Sequence, residues 1–329
     1  MVRANPLRVA SIDIGSNAIR LFVGQRSPSG RVRVLEDQRA SVRLGADAFS
    51  SGYIRPATQA ELARALSEFR EICDRLKVNR IRAIGTSALR DSSNSRKVIA
   101  HLKDQTGIQV QLISGRREAA LLHKAISHAI DLRRCTALLM DLGGGSLETV
   151  LSRRGQVLDI KSLPLGAVRL LSKTKGRPQY EDFAAEVRSP LYRLRIQLLG
   201  VKPHPIEMLI GTGGNLRALG RLCYRQKLSR TFKRFHRDHL QELTISLFAL
   251  NLNERIKRFQ LKKDRADVIL PAAVVTLELM RIFEIDEITV PDVGLKNGLF
   301  WETVDATLIK SGISPFGPLR RATTRKIRK

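Results

Sequence analysis

Asp141 and Glu148 bracket three glycines in the stretch MDLGGGSLETV, with apolar, β-prone segments on either side. Two readings fit those residue types. Glycine reaches positive φ cheaply, so the run can serve as a tight hairpin turn. Alternatively, successive backbone N–H groups without Cβ atoms can approach an anion closely. A flanking carboxylate can then hold the metal ion that travels with phosphate. On this stretch alone both readings stand.

A second copy shifts the balance toward phosphate. SIDIGSNAIRLFVG, near the N-terminus, aligns on its aspartate: Asp13 with Asp141, Gly15 with Gly143, Ser16 and Asn17 with Gly144 and Gly145. A strand, an Asp-x-Gly turn and a second strand thus occur twice. Two lobes, each presenting one hairpin to a shared cleft, would grip a phosphate chain from both sides. That layout resembles the actin, Hsp70 and sugar-kinase (ribonuclease H-like) fold.

The elements that must carry these turns alternate. Residues 9–14, 21–25 and 32–42 read as strands. Pro56 opens a periodic helix to about Leu76, with Leu62, Leu66, Phe69 and Cys73 on one face. A strand to Thr86, a polar loop and a helix from Ser95 follow, then a short strand, a turn at Gly115 and another helix. After the second hairpin come a helix carrying Pro190, a strand, glycine loop and helix at GTGGN, and an apolar helix. A strand and a closing helix end the sequence. This is an α/β pattern in two similar lobes. The expected boundaries are 1–125 plus 295–313 for the first lobe and 126–294 for the second, with 314–329 as a basic tail.

At 329 residues with 43% hydrophobic content the chain can fill two cores. No apolar run reaches the ~18–20 residues of a membrane span, and no secretory h-region is recognisable. Cys73, Cys135 and Cys223 read as free thiols in a reducing cytoplasm. The six histidines show no metal spacing. The outlier is a net charge of +27, from 58 Lys and Arg against 31 Asp and Glu, which attracts polyanions. Nucleic acid is the usual partner of so basic a chain, but no zinc-finger, RNP or helix-turn-helix pattern is present. Inorganic polyphosphate answers the same field. Residues 217–237 hold eight Lys or Arg and no acid, interleaved with Tyr224, Phe232 and Phe235. This is a candidate groove for a long anion.

Five blocks in order resemble the exopolyphosphatase / guanosine pentaphosphate phosphohydrolase (Ppx/GppA) family: SIDIGSNAIRLFV, AIGTSALRDSSN, LISGRREAALL, MDLGGGSLETV with LPLGAVRL, and IGTGGNLRAL. A sixth, weaker block covers RADVILPAAVVTLELM to ITVPDVGLKNGLF. Together they span residues 7 to about 305. The resemblance implies hydrolysis of terminal phosphoanhydride bonds in polyphosphate or pppGpp, with Glu118 as general base and Asp141 and Glu148 on Mg²⁺. It places Asp13, Gly15, Ser16, Asn17, Gly143, Gly144, Gly145 and Ser146 on phosphate, with Gly213 shaping the cleft wall. Arg90 is the leading phosphate clamp, and Arg20, Arg43 and Arg265 are further candidates. Partners are then polyphosphate or (p)ppGpp, with nucleic acid not favoured and a homodimer compatible.

Two departures stand out. Relatives usually read Gly-Glu-Glu-Glu-Ala before the base, whereas this chain reads Gly115-Arg116-Arg117-Glu118-Ala119. Two arginines beside Glu118 would favour its ionised form and weaken it as a base, which keeps a weakly catalytic regulator open. The length also resembles that of short, two-domain members, and the type without the extra helical domain of long members is the expectation.

Overall fold

The computed structural model describes residues 6–27, 29–174, 176–200, 205–223 and 232–310. The chain opens with β1 (Leu7–Ile14), β2 (Ile19–Arg26) and β3 (Val32–Ala40), an antiparallel meander. Then come α1 (Leu44–Ser51) and α2 (Pro56–Arg75). Pro56 sits in the first turn of α2, where its missing N–H costs nothing. Leu62, Leu66, Phe69 and Cys73 are buried from one face of that helix. β4 (Arg80–Gly85), α3 (Ser87–Asp91), α4 (Ser95–Thr106) and β5 (Val110–Leu112) complete the first sheet, ordered β3-β2-β1-β4-β5.

α5 (Gly115–Ala129) leads to the second sheet, which starts with β6 (Thr136–Leu142), β7 (Leu147–Arg153) and β8 (Gln156–Leu163). α6 (Ala167–Ser172), α7 (Tyr180–Leu199), β9 (Met208–Thr212), α8 (Gly214–Leu222) and β10 (Phe232–His236) follow. After α9 (Arg237–Ala249), α10 (Leu252–Phe259) and α11 (Lys263–Ala266) comes α12 (Ile269–Ile282). Nearly every residue of α12 is buried, which explains its apolar character on all sides. β11 (Glu287–Pro291) closes a sheet ordered β10-β11-β9-β6-β7-β8, and α13 (Leu295–Lys310) ends the described chain.

The internal repeat is structural. β1 pairs antiparallel with β2 and parallel with β4. β6 pairs antiparallel with β7 and parallel with β9. Each sheet therefore centres on the same three-strand unit, and the fold is two-lobed α/β as the repeat predicts. α13 returns to the first sheet, where Phe300 packs edge-on against Phe22 at 5.2 Å between centroids. Its other neighbour is α5. A Cβ on Gly298 would stand 2.0 Å from the Leu121 carbonyl oxygen, so that close approach requires glycine. α5 in turn buries Ala119, Leu122 and Ile126 with Leu139, Val150 and Ile210 of the second sheet.

Local differences from the sequence reading have local causes. The expected polar loop after Thr86 contains the five-residue helix α3, too short for a periodic signal. His236 ends strand β10, paired with β11, and α9 starts at Arg237. Residues 224–231 of the basic stretch and the basic tail 314–329 lie outside the described residues. Cys73 and Cys223 are buried free thiols and Cys135 is a half-buried one, as expected. Among the described residues no helix is long and apolar enough to cross a membrane.

Candidate active site

Both hairpins end at the carboxyl ends of β1 and β6, the edge where α/β sheets place their ligands. Asp141 lies directly across the ladder from Glu148, and Asp13 directly across from Arg20. Directly opposed residues project to the same face. The turns themselves touch: a Cβ on Gly144 would fall 2.8 Å from the Ser16 Cβ and 3.4 Å from the Asn17 nitrogen. Between them lies a cavity of about 100 Å³. Asp13, Gly15, Ser16, Asn17, Arg20, Asp141, Gly143, Gly144, Gly213 and Arg265 line it, ten of the predicted residues brought to one place.

The other predicted residues flank that cavity. Ser146 is buried and its hydroxyl bonds to Glu148. Gly145 abuts Ser87 and Phe49, where a Cβ would stand 2.2 Å from the Ser87 hydroxyl oxygen. Glu118, in the first turn of α5, accepts a 2.8 Å bond from Arg90 Nη1, which also donates to the Ile113 carbonyl at 2.6 Å. Arg90 thus holds Glu118 and lies outside the cavity lining. Arg43 is likewise outside it, paired with Asp267 at 2.8 Å.

The carboxylates are electrostatically stressed. Burial pushes Glu148 up to about 7; the bond from Ser146 opposes that and the charge of Asp141 adds to it. Burial lifts Asp13 to about 6, against the attraction of Arg20 and with the repulsion of Asp141. Asp141 is raised by burial, with the Thr212 hydroxyl opposing through a 2.9 Å bond to Oδ1. Glu118 is raised well above the ordinary glutamate range by burial and then by the charge of Glu148, despite Arg90. This overturns the expectation that Arg116 and Arg117 would keep Glu118 ionised. Both turn away along α5, Arg116 donating to the Ile160 carbonyl at 3.2 Å and Arg117 pairing with Glu302.

Opposite the carboxylates stand cations. Arg20 is lowered to about 10 by burial and by the charge of Arg217, and Arg265 to about 9 by burial and by Arg39 and Arg20. Arg217 and Lys296 also line the cavity, together with Gly214, Asn215 and Gly294 at the starts of α8 and α13. Helix N-termini aimed at a cleft favour anions. Arg217 lies within the IGTGGNLRAL block, two residues beyond GTGGN. Lys296 followed Gly294 in the weaker sixth block.

Among the described residues, no group of three or more His, Cys, Asp or Glu forms a ready-made metal cage. The donor set still suits Mg²⁺, which is usually held by one or two carboxylates with substrate oxygens and water completing its shell. Asp141 accepts one hydroxyl, from Thr212 at 2.9 Å, and Glu148 accepts two, from Ser146 and from Ser162 at 2.9 Å. Asp13 Oδ1 is buried without a hydrogen-bond partner.

Two hairpin turns facing one cleft, where both lobes contribute buried carboxylates or guanidiniums, define a two-lobed α/β protein with a cleft of both signs. The chain belongs to the Ppx/GppA phosphatase family, whose model matches residues 24–307. It is 25% identical over 308 residues to Exopolyphosphatase 1 of Mycobacterium tuberculosis, covering 91% of this chain and 89% of that one. Exopolyphosphatase 2 of the same organism is 27% identical over 310 residues, with 89% and 97% covered. The crystal structure of the Aquifex aeolicus Ppx/GppA family member superposes with a TM-score of 0.76 at 26% identity, covering 94% of this chain and 100% of that one.

Proposed function

We propose that the protein is an exopolyphosphatase that removes terminal orthophosphate from inorganic polyphosphate by direct attack of water. The observation that carries this reading is the two-signed cleft, with its buried carboxylates and buried guanidiniums. A polyanion accompanied by a divalent cation would satisfy both walls at once. The relatives named exopolyphosphatase support the same substrate class.

Glu118 accepts the proton of the attacking water. Burial and the neighbouring charge of Glu148 raise the Glu118 pKa above the ordinary glutamate range, which makes its carboxylate a stronger proton acceptor when ionised. Arg90 holds its carboxylate in position. The oxygen of water bonds to the terminal phosphorus, the bond from that phosphorus to the bridging oxygen breaks, and the shortened chain leaves with the electron pair. Backbone N–H groups of the two turns and the guanidiniums of Arg20 and Arg265 bind the phosphate oxygens. Asp141 and Glu148 would hold Mg²⁺, which offsets charge on the transferred phosphoryl group. We place the reaction in the cytoplasm, in keeping with three free cysteines. We divide the lobes at 1–125 plus 295–313 and 126–294; the packing of α13 on β1 and β2 supports its return to the first lobe, whereas α5, which that boundary crosses, packs on the second sheet.

Guanosine pentaphosphate ends in the same phosphoanhydride and is the alternative substrate. The regulator reading rested on Arg116 and Arg117, and both are engaged elsewhere. The test incubates purified protein with Mg²⁺ and polyphosphate, pppGpp or ATP in parallel and follows phosphate release. Release fastest from polyphosphate is expected. Release from pppGpp alone would move the assignment to the nucleotide, and transfer to an acceptor with ADP formed would make the protein a kinase.

A further inference from the structure

α11 is four residues long, and only Ala266 within it is buried. So short a helix has little stability of its own. Yet its Arg265 is one of the cations of the cleft. What holds α11 comes largely from the opposite lobe. Arg39, on β3, pairs with the Asp264 carboxylate. The Ser41 hydroxyl donates to the same oxygen at 2.6 Å. Asn17, in the first hairpin turn, donates to the Asp264 carbonyl at 2.8 Å. Asp264 is therefore gripped at both its side chain and its backbone by three groups across the cleft.

The neighbouring charges make this grip consequential. The guanidiniums of Arg20 and Arg265, one from each lobe, converge on Gly214, where a Cβ would lie 2.7 Å from either. Arg39 adds to the repulsion that Arg265 feels, while Asp264 relieves it. Arg265 also donates to the Asn215 side-chain oxygen within its own lobe, so the clasp bears on where α11 as a whole stands against Arg20. We propose that Asp264 is a positioning residue: by clasping α11 to β3 and the first hairpin, it sets Arg265 and Asn17 at the spacing that one phosphate chain requires.

This rests on the exopolyphosphatase reading, and its sign distinguishes it from plain electrostatics. If Asp264 only dilutes a positive field, Asp264→Asn strengthens that field and lowers KM for a polyanion. If Asp264 positions Arg265, the same substitution raises KM, because small misplacements of binding groups are costly. The experiment uses the full chain with Mg²⁺ and tripolyphosphate or long polyphosphate. Asp264→Asn is expected to raise KM about tenfold while kcat changes less than about threefold, a loss confined to binding common to ground and transition states. Ser41→Ala, which removes one bond of the clasp, should raise KM by about two- to fourfold, on the scale of one hydrogen bond. An unchanged or lowered KM in Asp264→Asn overturns the proposal. If Asp264→Asn fails to fold, Ser41→Ala decides by the same criterion. If the wild-type protein releases no phosphate from polyphosphate, the hydrolase reading fails by itself. The clasp is then judged by calorimetric affinity for tripolyphosphate, weaker in the variant if it is right and equal or tighter if it is wrong.

Discussion

In the first hairpin the residue directly across from the aspartate is Arg20; in the second it is Glu148. The two units share strand order, register and turn length, so the contrast isolates one position. Asp13 and Arg20 offset each other's charge, and each is perturbed chiefly by burial. Asp141 and Glu148 repel, and burial deepens their misfit. A buried carboxylate pair without a counter-ion is unstable, whereas a carboxylate beside a guanidinium is tolerated. The same fold element thus gives one hairpin that asks for a cation and another whose carboxylate already has a guanidinium beside it.

The largest effects should come from removing the stressed carboxylates. Glu118→Gln should lower kcat by about 10²–10⁴-fold, the usual cost of losing a general base, while polyphosphate affinity stays close to wild type. Phosphate release within about threefold of wild type would remove Glu118 from that role. Glu148→Gln should lose activity comparably, yet the metal-free variant should melt no lower than wild type, since a carboxylate held in an unfavourable state has been neutralised. A lower melting temperature would mean that Glu148 is structural.

The next comparison concerns the turns. Gly144 faces the other lobe, so Gly144→Ala drives a methyl group into Ser16 and Val168, at 2.8 and 3.1 Å. Gly15→Ala meets only the Ala18 carbonyl of its own turn at 3.0 Å. Overpacking of this kind costs about 1–3 kcal/mol. Gly144→Ala should show that cost in urea unfolding together with lost activity, and Gly15→Ala should show less of both. Equal losses would indicate that the turns do not press on each other.

A subtler contrast lies in the aspartates. Asp141→Asn should raise the Mg²⁺ concentration needed for half-maximal activity, because a ligand is lost. Asp13→Asn should lower turnover but leave that concentration nearly unchanged, since Arg20 already balances Asp13. Matching Mg²⁺ shifts in both variants would put the two aspartates on one ion.

How much of this was legible in the sequence follows from locality. The Asp-x-Gly repeat is short-range, so the hairpins and seven of the eighteen cavity-lining residues could be read from spacing, while Arg20, Gly213 and Arg265 came with the family resemblance. Glu118 could not; a lone glutamate in a first helical turn has a sufficient electrostatic reason to be there, and only the family resemblance singled it out. Arg90 was identified as a phosphate clamp but bonds Glu118, because α3 went unseen and with it the direction of that side chain. Arg116 and Arg117 were misread for a related cause: adjacency in sequence is not adjacency on a helix, where neighbours lie three or four residues apart. Lys296 and Asp264 join the site by chain reversal from residues far along the sequence, a relation that no periodicity encodes.

The smallest expected effect is a dependence of stability on pH, and its sign follows from the second hairpin. Burial holds Glu148 at about 7 and Asp13 at about 6, above ordinary values of 4.5 and 3.8. Between the ordinary and raised values the folded protein keeps protons that the unfolded chain has released. Stability therefore falls as pH rises through that window. Asp264 and Glu278 act oppositely: burial disfavours their charge, but hydrogen bonds from Ser41 and Arg39, and from Arg188 and Tyr180, more than offset it. Their contribution is lost only at pH below the ordinary carboxylate range, outside the window; His123 and His128, lowered by burial, offset part of the trend toward pH 6, and Glu118, raised by burial, adds to it. In chelator, thermal melts should thus rise by a few degrees from about pH 8 to about pH 6, on the usual scale of about 2–4 °C per kcal/mol. Mg²⁺ should flatten the trend, because a bound cation does at pH 8 what protons do at pH 6. Glu148→Gln should flatten it without Mg²⁺, and Asp13→Asn by less, since its partner is Arg20. A pH dependence in chelator that is no weaker in Glu148→Gln than in wild type would show that the second hairpin is not charged against itself.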